Sequence, residues 1–198
     1  MTPEKLRSLY GAVSPAAAAK VITRFDHHCR DFIENATFLV MATTNGQTLD
    51  VSPKGDPAGF VTVESDTTLL IPDRPGNNRI DGLMNILANP QVALIFLIPT
   101  VGETLRVNGR AEILDDPEIC ARFAVNGRNP KTVTRVTAEK ILTHCGKAPI
   151  RAGLWKPESW PAERPVATLS DMIRDHVKGE AEVVDDATMQ AIYQKTLY

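Results

Sequence analysis

Cysteine is scarce in this 198-residue chain: Cys29, Cys120 and Cys145 are an odd number and show no CxxC spacing. That pattern offers neither a disulfide framework nor a zinc knuckle, and it fits a reducing, cytoplasmic setting. Long apolar runs are missing too. The longest, VALIFLIP (92–99), falls far short of the roughly 20 residues a membrane-spanning helix needs. The opening MTPEKLRSLYGAVSPAAAAKV lacks an apolar stretch behind basic residues, so it does not read as a secretory signal. Nor is there an excess of positive charge, since 22 Lys and Arg against 24 Asp and Glu leave a formal charge of −2. This argues against a nucleic-acid binder that works through a generally basic surface, though a local basic pocket is compatible with it. No internal repeat or low-complexity linker divides the chain. It is read as one domain over 1–198, with N-terminal helices to about 36 and a helical tail from about 166. No metal cluster, no Ser/His/Asp arrangement and no isolated acid/base pair can be read, which favours a function carried by a bound cofactor.

What is present is a soluble composition, 43% apolar and 23% charged, and a clear change of period along the chain. Residues 3–12 read as a short helix opened by Pro3. Ser14 then caps a second helix, expected to run from Pro15 through Ala36, with Val21, Ile22, Phe25, Cys29, Phe32 and Ile33 forming its apolar stripe. His27 and His28 are adjacent, so on a helix they are expected to point apart. A solvated or hydrogen-bonded pair fits them better than a metal site. From Thr37 the pattern becomes β. FLVMATT and TLDVSPK flank the hairpin signal Asn45-Gly46. AGFVTVE, TTLLIPD, QVALIFLIP and ETLRVNGRAEIL follow, with one short helix over 79–88 that ends at Asn89-Pro90. Asp116 and Pro117 start a helix, residues 132–145 hold a further strand, and two amphipathic helical segments close the chain. Five or six strands in hairpin succession predict an α+β, mainly β, antiparallel barrel or sheet with flanking helices.

The stretch Leu49–Val92 concentrates the chemistry. It places Lys54 in a Gly/Pro-rich corner and Arg74, Asn77, Asn78 and Arg79 in a loop directly before a helix. Cationic side chains and amide donors at a helix N-terminus form an anion site, because free backbone N–H groups and the helix dipole add to their charge. Asn-Asn-Arg is also ordinary turn and capping chemistry, and a Lys at a strand end is often only solvated. Asp56 and Asp73 are out of place beside a phosphate and are read as partners that orient Lys54 or Arg74. His144 and Cys145 are neighbours in sequence with no third orienting group, so they do not read as a nucleophile pair.

The order NG hairpin, SPKGDPAGFV, LLIPD, DRPGNNRID, a helix ending in NP, VALIF and RVNGRAEI resembles the pyridoxamine 5′-phosphate oxidase-like, FMN-binding split-barrel proteins. The likeness covers roughly 30–155 and includes the segment from His144 to Trp155. It implies an antiparallel split barrel that forms a homodimer, with FMN in the groove between subunits. Carried over by position, it implies that Arg79, Asn78 and Lys54 face the phosphate or ribityl chain, with Arg74 beside them. Val51, Ser52 and Pro53 would run along the isoalloxazine edge, and Ile71 and Pro72 would lie beneath the ribityl-phosphate. Thr104 falls where relatives place Gln on the strand before an Asn-Gly-Arg-Ala turn, and its shorter side chain reaches less far. Arg106 lies two residues on, on the same face, and Lys147 and Arg151 are placed to reach across the dimer groove.

The chain departs from the oxidase proper at its C-terminal end. In place of an Arg-x-His substrate segment it has Trp155, Trp160 and WPAERPV, so the oxidase's activity does not transfer with its fold. The expectation is an FMN-dependent oxidoreductase acting on a small molecule. A flavin store or sensor without turnover, and a relative that holds a deazaflavin or haem, are the alternatives.

Overall fold

The Asn45-Gly46 corner closes a hairpin between β1 (Phe38–Thr44) and β2 (Leu49–Gly55) in the computed structural model, which describes residues 1–198. Gly46 takes a left-handed φ of 92°. The Asn45 carboxamide oxygen accepts from the N–H groups of Gln47 and Thr48, both at 2.8 Å, the local bonding that makes Asn a turn former.

Five more strands follow: β3 (Thr62–Val63), β4 (Thr68–Pro72), β5 (Gln91–Leu97), β6 (Thr104–Leu114) and β7 (Val133–His144). All neighbours pair antiparallel, in the order β2-β1-β5-β6-β7-β4-β3. The edge strands β2 and β3 share no backbone hydrogen bonds, yet the sheet curls until the end of β2 faces the end of β4. Lys54 Nζ donates across that gap to Asp73 Oδ1 at 3.2 Å. This is an α+β fold built on an antiparallel split barrel.

The period-2 alternation sorts the strands into an inner and an outer face. Leu39, Met41, Leu94, Phe96, Leu105, Val107, Val136 and Ile141 fill the barrel, joined by Leu69 and Ile71 of β4. Cys29 and Ile33 of α3 (His27–Asn35) close one end of this core. Asn108-Gly109, which reads as a turn, lies inside β6 as a bulge against β7. A Cβ on Gly109 would stand 2.1 Å from the Thr137 carbonyl oxygen. The strand can bend there only without a side chain.

Helix α1 (Pro3–Leu9) forms as expected, but the long helix expected over 15–36 does not. It splits into α2 (Pro15–Ala19) and α3. Ile22 leaves helical geometry to pair with Ile141, giving an N–H bond of 3.0 Å and accepting one of 2.8 Å. Asp26 then restarts the helix by capping the Cys29 N–H at 2.8 Å. The rings of His27 and His28 do not point apart: their centroids lie 3.8 Å from each other in the first turn of α3.

α4 (Asp81–Ala88) packs against β1, β2 and β6, tied by Asn85 Nδ2 donating to Thr43 Oγ1 at 3.2 Å. The chain continues through α5 (Pro117–Ala121), capped by Asp116, and α6 (Lys147–Ala152), then ends in α7 (Leu169–Val177) and α8 (Asp186–Thr196). Trp155 Nε1 donates to the Val101 carbonyl at 2.8 Å and fastens the segment after α6 to the β5–β6 turn. No helix is long and apolar enough to cross a membrane.

Candidate functional site

The gap between β2 and β4 opens into a cleft of about 430 Å³. Three pieces of chain wall it: β2 from Asp50 to Gly55, the end of β4 with its loop from Pro72 to Asn77 and Arg79, and the first turn of α4. Met41 and Phe60 form apolar floor. As β2 is an edge strand, both of its faces contribute. Ser52 and Lys54 share the inward rows with Met41 and Leu39, whereas Val51 and Pro53 turn outward. No side chain caps the first N–H groups of α4, whose N-cap residue is Ile80. A helix beginning this way presents donors to whatever occupies the cleft.

Three cations, Lys54, Arg74 and Arg79, line the cleft, and three carboxylates, Asp50, Asp73 and Asp81, line it with them. Each cation already has a partner, and Asp56 and Asp73 do orient Arg74 and Lys54. Lys54 holds Asp73, and Arg74 Nε donates to Asp56 Oδ2 at 2.5 Å. Arg74 Nη1 also donates to the Phe123 carbonyl at 2.7 Å. Arg79 donates from Nε and Nη2 to Asp81 Oδ2 at 2.9 and 2.7 Å, and this hydrogen bond raises its pKa. The two arginines differ in freedom. The side chain of Arg74 is 18% exposed and held from three sides, whereas that of Arg79 is 76% exposed. Tyr198 OH donates to the second Asp56 oxygen at 2.5 Å, which raises the phenol pKa, and the Arg74 guanidinium lies over its ring at 5.6 Å.

The structure gathers Val51, Ser52, Pro53, Lys54, Pro72, Arg74 and Arg79 around one cleft. Ile71 is buried in the core behind it. Asn78 sits at the bend of the loop with φ 59°, and Asn77 takes its place in the wall, its Oδ1 accepting from the Arg79 N–H at 3.0 Å. Thr104 and Arg106 lie on β6 away from the cleft. Arg106 falls in the outward row with Ile95, Val40 and Pro53. Lys147 is exposed on α6, and Arg151 Nε donates back to its carbonyl at 3.3 Å. Sequence reasoning missed the wall contributed by Ile80, Asp81 and Gly82, although a helix start directly after the cationic loop announces it. It also missed Tyr198, for which no local signal exists.

The outer surface beside the cleft is apolar. β5, despite its apolar VALIF run, buries Val92, Leu94 and Phe96 and leaves the alternate residues Ala93, Ile95 and Leu97 half-covered. The open apolar groups belong instead to β2 and α4. Leu49 and Val51 are 80% and 63% exposed, and Ile80, Met84 and Leu87 form a stripe on α4 that is 50–70% exposed. Val51 and Ile80 also line the cleft, so cleft and apolar surface are continuous.

Several solved structures are similar to this chain. HupZ of Group A Streptococcus is 21% identical and has a TM-score of 0.47, with 59% of this chain and 91% of that one covered. A putative pyridoxamine 5′-phosphate oxidase from Lactobacillus delbrueckii is 17% identical, with 61% and 95% covered and a TM-score of 0.47. The FAD binding protein from Mycobacterium smegmatis is 18% identical, with 62% and 97% covered and a TM-score of 0.42. Among curated proteins no sequence matches. The pyridoxamine 5′-phosphate oxidase family profile matches residues 25–145, from just before α3 to the end of β7, and the chain therefore belongs to the pyridoxamine 5′-phosphate oxidase family.

Proposed function

We propose that this protein is a cytoplasmic FMN-binding flavoprotein that works as a homodimer and as an oxidoreductase on a small molecule. The observation that carries this reading is the cleft between β2 and β4, where Lys54 and Arg74 stand on opposite walls at the uncapped start of α4. A phosphate there meets two fixed cations and free backbone N–H groups, the donor set that phosphate-bearing ligands require. Asp50, Asp73 and Asp81 oppose this, so a phosphate binds by exchanging partners with carboxylates rather than by filling a bare positive socket.

The ring of the cofactor needs apolar cover on both faces, and one subunit supplies the floor of Met41 and Phe60 with Val51, Pro53, Ile80 and Leu83 at the walls of an open cleft. A second copy seated on Leu49, Val51, Met84 and Leu87 buries a surface too apolar to be left in water and completes the cleft. FMN, when bound, supplies the hydride chemistry, and the chain supplies position, charge and exclusion of water. Lys54 and Arg74 hold the phosphate end, and Ser52 and the β2 backbone face the ring edge.

The test is the visible absorption spectrum of the freshly purified protein, with mass spectrometry of any released chromophore. FMN near one per subunit supports the reading. A colourless protein that also fails to take up added FMN refutes it. A deazaflavin or haem spectrum keeps the site and replaces the chemistry. Tight FMN with slow, unselective reduction identifies a flavin store or sensor in place of an enzyme.

A further inference from the structure

Asp56 is among the most enclosed carboxylates of the chain, with its side chain 2% exposed, and both of its oxygens are engaged. Oδ2 accepts from Arg74 Nε, and Oδ1 accepts from Tyr198 OH. Tyr198 is fixed in turn, because Arg128 Nη1 donates to its carbonyl oxygen at 2.7 Å. A guanidinium carries five N–H groups. Nε and one Nη1 hydrogen of Arg74 are spent on Asp56 and Phe123, which leaves the remaining donors for the cleft. Such a side chain is already oriented and loses little rotamer freedom when an anion arrives. Arg79 has no such support beyond Asp81.

We propose that Tyr198 is a positioning residue for the anion-binding end of the cleft: acting through Asp56, it fixes Arg74 as the principal phosphate-holding arginine. The inference rests on the cofactor reading above. It concerns a part of the chain outside the segment shared with the family, which ends at residue 145. The segment after α8 thereby acts on a cleft built from β2, β4 and α4.

The test compares FMN with riboflavin, which lacks the phosphate, in fluorescence titrations of the full chain and its Tyr198→Phe, Arg74→Lys and doubly substituted variants. Tyr198→Phe keeps the ring over Arg74 and removes only the hydrogen bond. Its FMN Kd rises about three- to tenfold, the range of one ordinary hydrogen bond, because the contact reaches the phosphate only through Arg74, while riboflavin binding holds within about twofold. In the double variant the second substitution adds almost nothing, because both act on one contact. An unchanged FMN Kd in Tyr198→Phe overturns the inference and leaves the cofactor reading standing. Equal losses for FMN and riboflavin overturn it by showing a merely structural role, as does full additivity. Wild-type protein that binds no FMN refutes the cofactor reading itself and this inference with it.

Discussion

Replacing Lys54 by Met separates binding from folding at one atom. The substitution keeps the aliphatic stem and deletes the ammonium, which donates to Asp73 at 3.2 Å from a side chain 18% exposed, its partner being 30% exposed. At that distance and an effective dielectric near 20, the gross attraction is about 5 kcal/mol. Most of it is offset by desolvation and by fixing a long side chain, so the net loss of stability is about 1 kcal/mol. For a chain of this size that lowers Tm by about 2–4 °C. Loss of a charge-assisted bond to phosphate is larger, about 1.5–3 kcal/mol. This corresponds to an FMN Kd raised about 10- to 150-fold. Calorimetric melting and fluorescence titration of the same samples read both numbers, with riboflavin as the phosphate-free control. An FMN Kd within twofold of wild type, or an equal loss for riboflavin, refutes Lys54 as a phosphate ligand. A Tm drop above about 10 °C refutes the assignment of this ion pair as a minor contributor to folding.

Three further outcomes are expected. Val51→Lys places a charge in the exposed apolar surface that borders the cleft. Light scattering should show monomers under conditions where wild type forms the proposed dimer, and the proposed FMN binding should weaken alongside. Gly109→Ala drives a methyl into the Thr137 carbonyl, a rigid backbone atom at 2.1 Å. It should cost about 3 kcal/mol or more, read as a large fall in Tm or as insoluble protein. Cys29 is buried, and desolvation pushes its thiol pKa up to about 12. Because only Cys145 is exposed, a thiol reagent at pH 8 should modify one cysteine quickly in the native protein and all three after denaturation.

Much of the barrel could be read before any coordinates, since its signals are local. Asn45-Gly46 set the hairpin, and the apolar runs FLVMATT and QVALIFLIP marked β1 and β5, although which alternate residues are buried emerges only from the packing. Where the reading failed, a partner distant in sequence decided the outcome. Helical periodicity continued through Ile22, but pairing with Ile141 satisfied its backbone better than another turn did. Asn108-Gly109 carried a turn signature and became a bulge, because β7 continues alongside β6 on both sides of it. The cationic loop was legible as a candidate site, and the odd carboxylates Asp56 and Asp73 were legible as internal partners of Arg74 and Lys54. Tyr198 was not legible, being 142 residues from the carboxylate it bonds. Nor did the strand patterns show that the open apolar surface lies on β2 and α4 rather than β5, because exposure depends on what packs over a strand.

The barrel's unclosed line has a consequence for how a ligand comes and goes. Everywhere else around the sheet, neighbouring strands are laced by backbone hydrogen bonds, whereas between β2 and β4 the closure consists of side-chain ion pairs at Lys54–Asp73 and Arg74–Asp56. Such a zipper of charges can part without melting a single ladder, and dissolved salt weakens it where it would leave the strands untouched. Amide exchange should therefore be protected along β5, β6 and β7 under conditions in which the Asp73–Asn77 loop exchanges freely. The molecule is stiff around most of its circumference and yields along one line, and that line is the mouth of the cleft proposed to hold the cofactor.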